Sequence, residues 1–324
     1  MRKNNGRFFP REKRSVQKIN SFLKMALSNP QATVLLFLGR FNLFRRLLAQ
    51  RTVDVSLTEE GSQKSIFPNI PKENILKELR RNGVAFGFKL SEDLTADIFK
   101  YASGTNCYAG GREHLGFNIS EKKDIDEFYK KPFYIADYFN VSEECPPASV
   151  IANDPVILDI ASRYIRSQAV FTGSSLTWIF PLKDIPFDSN RQENCHFHYD
   201  LDGFSCVRFF FLITTVSEGE GEHVFIRSSH KKKPILSLLN FLSRKQSDER
   251  ILSYYGEDKH CSIVGHAGTG FVEDTFGFHK ATVPTTVPRL LLQLHFADRN
   301  YNKGRYSDSR DPKQLKHFQT SISS

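Results

Sequence analysis

The hydrophobic pattern changes its period partway along the chain. Val34, Phe37, Leu38, Phe41, Phe44 and Leu48 recur at helical spacing, which predicts one amphipathic helix over 31–50 with Arg40, Arg45 and Arg46 among its apolar positions. Ile75, Leu76 and Leu79 share a face of a predicted helix over 72–82. A short strand over 83–88 and a second helix over 91–102, N-capped by Ser91, complete an opening helix–strand–helix unit. After a Pro-bearing loop at 145–147, a further helix spans 155–166.

From residue 169 the helical spacing fades. The stretch 169–180 is β-rich up to Pro181, and 204–216 is nearly continuous apolar and aromatic, as expected of a buried strand. A short strand over 223–227 and a helical insertion over 234–255 follow, then strands at 261–264, 269–274 and 289–296. Helices first and strands later predict an α+β fold with an antiparallel sandwich or barrel at its core. Residues 1–20 read as disordered, 52–70 as a linker, and the polar tail after Asp298 as peripheral.

Charge sharpens this division. The whole chain carries a net charge of +9, but residues 1–51 hold twelve Lys/Arg against the single acid Glu12, so the rest is close to neutral. Any affinity for an anionic membrane is therefore expected of the arm, and the body carries no nucleic-acid footprint. The helix over 31–50 is expected to pack on the body; a membrane-surface helix and an organelle transit peptide are the other readings of the arm. The first 20 residues lack the apolar run of a secretory signal, and 32–38 is too short to span a bilayer. Five scattered cysteines without a CxxC pair predict reduced thiols in a cytoplasmic protein rather than a disulfide framework or a zinc site.

The chemistry concentrates in the β half. In His196-Phe-His198-Tyr-Asp200-Leu-Asp202-Gly203, extended backbone would point His198 and Asp200 the same way, as a nitrogen and an oxygen ligand for one metal ion. An H-x-D alone is weak evidence. A second histidine from a distant strand would complete a facial triad with open positions, which suits Fe(II) that must bind a cosubstrate and O2. His279 is placed to be that histidine, ending a strand and a turn, and Arg289 opens the next apolar strand. A buried Arg needs an anionic partner, and its planar fork matches a carboxylate, here the far carboxylate of 2-oxoglutarate. His196 offers an alternative H-x-H with His198, but the following residues lack the Glu of metal-binding cupins, so it is expected to be structural. Asp202 reads as a turn residue and His230 as capping or lining the insertion. Asp274 and Thr275 read as stabilising the turn before His279, Trp178 as core, and Lys231–Lys233 as a solvated helix start.

The order of these features resembles the phytanoyl-CoA dioxygenase-like family of Fe(II)- and 2-oxoglutarate-dependent oxygenases. The resemblance spans roughly 70–298. It includes the opening helix–strand–helix, the segment from Asp154 to Ile165, the H-x-D, the loop Gly221 to Lys231, and the distal His279 and Arg289. Two positions depart: the loop has Arg227-Ser228 where the family has Pro-Gly, and Ala281 stands where the family has Gly. The resemblance implies a double-stranded β-helix, the cupin-like jelly roll, with flanking helices. It divides the chain into an arm and linker (1–67), an oxygenase domain (68–298) and a tail (299–324). It implies iron on His198, Asp200 and His279, 2-oxoglutarate on Arg289, and oxidation of a small-molecule or lipid-like substrate with release of succinate and CO2. Related halogenases lack the carboxylate ligand, so Asp200 favours hydroxylation. A non-catalytic jelly-roll binding protein, and an oxygenase held at a membrane through residues 1–51 and acting on a lipid or glycolipid, are the alternatives.

Overall fold

A computed structural model describes residues 27–49, 64–130, 132–182, 195–240, 243–301 and 309–318. The expectations for residues 1–20 and for most of the linker lie outside these.

The predicted helix over 31–50 is two helices, α1 (Pro30–Leu38) and α2 (Asn42–Leu48). The break has a physical cause at Arg40. Its guanidinium turns inward, bonding the carbonyl oxygens of Leu36 at 2.8 Å and Asn240 at 2.9 Å, and Phe41 adopts an extended backbone that starts α2. A charge that must reach buried acceptors thus interrupts an apolar stripe that periodicity alone would continue.

The opening unit forms as the pattern predicts. Helix α3 (Lys72–Asn82) buries Ile75, Leu76 and Leu79 and ends on Gly83, whose φ of 83° is left-handed. A Cβ there would lie 2.5 Å from Nδ1 of His230, so both conformation and space demand glycine. Strand β1 (Val84–Lys89) follows, then α4 (Glu92–Gly104), where the Ser91 hydroxyl accepts from Leu94 N. The segment 105–152 adds the short strands β2 (Cys107–Ala109), β3 (Gly116–Phe117) and β4 (Ile135–Asp137) and the helices α5 (Lys122–Tyr129), α6 (Val141–Glu144) and α7 (Pro146–Ala152). Helix α8 (Pro155–Ile165) has Pro at its first position, and the Asp154 side chain accepts from Val156 N and Ile157 N.

Eleven strands make two antiparallel sheets among the described residues. The large sheet runs β1-β9-β6-β11-β5-β4-β2-β3, with β5 at Val170–Ile179, β6 at Cys206–Leu212, β9 at Thr269–Glu273 and β11 at Arg289–Ala297. The small sheet runs β10-β7-β8, with β7 at His223–Ile226, β8 at His260–Ile263 and β10 at His279–Ala281. The insertion between β7 and β8 holds α9 (Ile235–Leu239) and α10 (Asp248–Tyr255).

Strand alternation gives the large sheet two chemically different faces. Phe209, Phe211, Leu290, Leu292, Leu294, Leu176 and Trp178 share a dense core with the buried sides of α3, α4, α7 and α8. The opposite face packs Phe210, Leu212, Phe271 and Leu291 against Phe225, Cys261 and Ile263 of the small sheet. That inner face also carries Arg208, Glu273, Gln293, His295 and Arg289, by the register of β6, β9 and β11. The outer face is thus a conventional core and the inner face holds the polar chemistry.

Asp137 sits at the end of this inner face, paired across β4–β5 with Thr177, whose hydroxyl donates to it at 2.7 Å. Burial pushes its carboxyl up to about 6 against the Thr177 bond. Because the folded value exceeds the unfolded one, the native state holds more protons between about pH 4 and pH 6, and this group's contribution to stability falls as pH rises through that window. Asp137→Asn removes the titration and keeps an acceptor. Urea unfolding should show the variant gaining on the parent as pH rises from about 4 to about 7 and then levelling off; a pH-independent difference would contradict the burial effect.

Candidate metal centre

The segment before β6 does not form a regular strand. His198 makes an isolated bridge to His279, with reciprocal backbone bonds: His198 N to His279 O at 3.0 Å and His279 N to His198 O at 2.9 Å. Asp200 N donates to Thr275 O at 2.8 Å. The turn that delivers His279 is held by Asp274, which accepts from Phe276 N at 3.0 Å and from the Tyr164 hydroxyl at 2.7 Å. The main chain, rather than a named strand, therefore brings the two halves of the centre together.

His198, Asp200 and His279 each present one ligand atom, all within 4.8 Å of one another. Nε2 of His279 lies 3.6 Å from Oδ2 of Asp200, and the two imidazole centroids are 4.4 Å apart. Nδ1 of His198 contacts His196 O at 2.9 Å, and Nδ1 of His279 contacts Gly277 O at 3.0 Å. A carbonyl oxygen only accepts, so both Nδ1 atoms carry hydrogen, which leaves both Nε2 atoms for a metal ion. His196, expected to be structural, acts here through its backbone.

Electrostatics favour a cation at this point. Burial, with a smaller effect from His279, pushes the His198 imidazole down to about 4, so it stands neutral. Burial alone would raise the Asp200 carboxyl, but Arg208, with His279 and His198, holds it well below the usual carboxylate range. Burial depresses His279, yet Glu273 and Asp200 outweigh it and raise the imidazole above its ordinary value. Nε2 of His279 and Oδ2 of Asp200 thus face one another across a gap that a divalent cation could fill.

Sequence reasoning missed the residues around this triad. Arg208 pairs with Asp200 at 2.9 Å and with Asp202 still more closely, so Asp202 is an ion-pair partner rather than a turn residue. Nε2 of His223 donates to Glu273 at 2.9 Å; the His223 ring stacks on His279 with centroids 5.6 Å apart, and Glu273 lies 3.9 Å from its Nδ1. One signal was present: Arg208 and Glu273 stand in otherwise apolar strand sequences, and a charge there requires a partner. Lys233 is likewise buried, not solvated, with Nζ 3.1 Å from Ser229 O and over the rings of Tyr199, Phe276 and Phe278. Trp178 is core, its Nε1 donating to the Tyr138 hydroxyl at 2.9 Å. His230 is buried beside α3, with Nε2 3.3 Å from Arg80 O.

Arg208→Met would leave Asp200 and Asp202 buried without their cation. Removing one member of a buried pair costs about 3–5 kcal/mol. Urea unfolding near neutral pH should show a loss of that order, shrinking in acid as Asp200 takes up its proton. An unchanged midpoint would mean the three side chains are not held together.

Arg289 opens β11 on the inner face and is 3% exposed. Nη1 donates to Gly221 O, Nε makes no hydrogen bond, and among the described residues no Asp or Glu forms an ion pair with it. Burial draws it down to about 10, and it is near enough to His223 to depress that imidazole. A guanidinium buried with an unused donor beside a polar centre has the chemistry to take an anion.

All four residues singled out from sequence thus lie on or beside the inner face. The five cysteines are free. No helix among the described residues is long and apolar enough to cross a membrane.

No family model matches the chain, and no curated protein matches it in sequence. Solved structures do match in fold. The non-heme alpha ketoglutarate dependent epimerase SnoN from nogalamycin biosynthesis aligns with a TM-score of 0.50 at 13% identity, over 74% of this chain and 92% of SnoN. HygX from Streptomyces hygroscopicus, solved with nickel, 2-oxoglutarate and hygromycin B bound, gives 0.46 at 12% identity, over 69% of this chain and 86% of HygX. AviO1 from Streptomyces viridochromogenes gives 0.43 at 10% identity, over 72% and 96%. The likeness to SnoN speaks to the fold alone.

Proposed function

We propose that this chain is a non-haem Fe(II)- and 2-oxoglutarate-dependent dioxygenase of the phytanoyl-CoA dioxygenase-like kind, oxidising a small-molecule or lipid-like substrate with release of succinate and CO2. One observation carries the reading: a two-histidine, one-carboxylate cluster shares the inner face with a buried guanidinium that makes no ion pair among the described residues, although Glu222 is near enough to act on its charge. Three ligands leave open positions on a ferrous ion, and the unused fork supplies the complement to a dicarboxylate cosubstrate. The strand orders β9-β6-β11-β5 and β10-β7-β8, with the His198 bridge extending the small sheet beyond β10, support a double-stranded β-helix. SnoN, described as alpha ketoglutarate dependent, is compatible with the same chemistry on this fold.

In this reading His198 and His279 bind through Nε2, with their rings fixed by the His196 and Gly277 carbonyls. Arg208 holds Oδ2 of Asp200 and so sets how that carboxylate faces the ion. Arg289 pairs with the far carboxylate of 2-oxoglutarate while Gly221 O fixes the other side of its fork. When bound, iron, 2-oxoglutarate and O2 together supply an oxidant for a substrate C–H bond; the chain orients the reactants and keeps water out. The wall of Phe210, Phe271, Phe225 and Leu291 at one side of the polar cluster suits that exclusion.

Anaerobic titration with Fe(II) and then 2-oxoglutarate is the direct test. The expected result is the weak visible charge-transfer band of an iron–2-oxoglutarate chelate, followed by succinate release on admitting air. Binding of neither component would reduce the molecule to a scaffold that keeps the fold without the chemistry.

A further inference from the structure

Two segments of this chain are rich in bases and free of acid. Residues 13–53 hold eight Lys/Arg and no Asp or Glu, and residues 223–247 hold six Lys/Arg and no Asp or Glu. They are far apart in sequence, and the fold brings them together. Arg40 donates to the carbonyl of Asn240 at 2.9 Å and reaches that of Leu238, while Asn42 donates to the carbonyl of Lys231. The first acid after the second segment, Asp248, is paired with Lys280.

Where the segments meet, both turn apolar side chains outward. Leu43 is 65% and Leu47 68% exposed on one face of α2, at i and i+4; Ile235 is 71% and Leu236 69% exposed on α9, with Leu239 beside them. Val34 and Phe37 add a second exposed stripe on α1. Scattered exposed leucines are ordinary; exposed apolar residues on three short helices that these bonds tie together within acid-free backbone are not. The exposed cations Arg46, Lys231 and Lys232 border this surface. Beside it, a groove of about 380 Å³ runs between Val34, Leu48, Phe204 and Tyr301, with Arg299 at its rim.

We propose that this joined surface docks the protein onto an anionic lipid bilayer. Apolar side chains enter the boundary between headgroups and acyl chains, and the surrounding Lys and Arg pair with anionic headgroups. The sequence outside the described residues agrees in sign, since residues 1–26 carry eight Lys/Arg against Glu12, four of them at the start of the first segment. The surface has a physical link to the inner face. The Tyr199 hydroxyl lies 3.4 Å from Ser237 O of α9, Arg244 donates to Tyr199 O at 3.1 Å, and Tyr199 stands between His198 and Asp200. Docking would therefore place the ligand-bearing segment close to the bilayer.

The test is flotation of the full chain with phosphatidylcholine vesicles made with and without phosphatidylglycerol. Wild type should float with the anionic vesicles only and be released by high salt. Ile235→Asp/Leu236→Asp and Leu43→Asp/Leu47→Asp change exposed positions, and each pair should lower binding at least tenfold with an unchanged melting temperature. Lys231→Gln/Lys232→Gln should lower it less and weaken the salt dependence. Wild type remaining unbound would overturn the proposal. So would binding that none of these variants affects, which would assign it to residues 1–26 alone. Light scattering that shows a dimer abolished by the same substitutions would also overturn it, by showing that a second copy covers the surface.

Discussion

Replacing Asp200 with alanine is expected to abolish ferrous-ion binding and, with it, all 2-oxoglutarate turnover. Changing only the groups that orient a metal ligand costs about 10–100-fold in affinity, so removing the sole carboxylate of a three-ligand set should cost more. The electrostatics add to the loss. Asp200 is the anion between two imidazoles, and without it the neighbouring Arg208 would face the ion with only Asp202 to balance it. Anaerobic calorimetry with Fe(II) and oxygen-electrode assays with 2-oxoglutarate both read this out. Full turnover in the variant would remove Asp200 from the centre. The neutral isostere Asp200→Asn should lie close to alanine in activity, since it retains an oxygen but not the charge.

The second large effect separates cosubstrate from metal. Arg289→Ala should leave Fe(II) affinity nearly unchanged and raise the 2-oxoglutarate requirement steeply. Truncating one partner of a buried, hydrogen-bonded charge pair costs about 2–5 kcal/mol, equivalent to about 30- to 5,000-fold in concentration. Lysine at this position keeps the charge but loses the fork, and should recover only part of the loss. Stability discriminates further. Without cosubstrate the guanidinium bonds Gly221 O and makes no ion pair among the described residues, so its removal should cost no more than about one hydrogen bond, ~1 kcal/mol. A variant with an unchanged 2-oxoglutarate requirement, or one that fails to fold, would point to a structural role instead.

The helix–strand–helix opening and the buried strands β6 and β11 were legible in sequence because each rests on local pattern. Ser91 before a helical run, Gly83 after one, and seven consecutive buried residues in β6 need no tertiary knowledge. The short strands β2, β3 and β4 were not legible, since two or three residues give no period to read and their pairing, β4 to β5, β2 to β4 and β3 to β2, is set by the sheet. The site divides in the same way. His198, Asp200, His279 and Arg289 stood out by residue type and spacing. Asp202 and Lys233 did not, because what each meets, Arg208 in one case and three aromatic rings in the other, arrives from elsewhere in the chain. Composition also misled at Arg40. A cation inside an apolar helical run was read as part of an amphipathic face, and it is the residue that ends the helix.

The paired amide bonds between His198 and His279 bear on when the centre comes into being. They close the long stretch between His198 and His279, which holds β6 to β9, so they belong to the late, non-local part of folding. Once closed, they hold the backbone of the two histidines side by side, and the carbonyls of His196 and Gly277 fix the rings. The ion then enters a seat already built, in contrast to zinc fingers, whose fold collapses on chelation. A chelator should consequently strip this protein of iron and leave it a folded apoprotein, with the amides of both histidines still slow to exchange with deuterium.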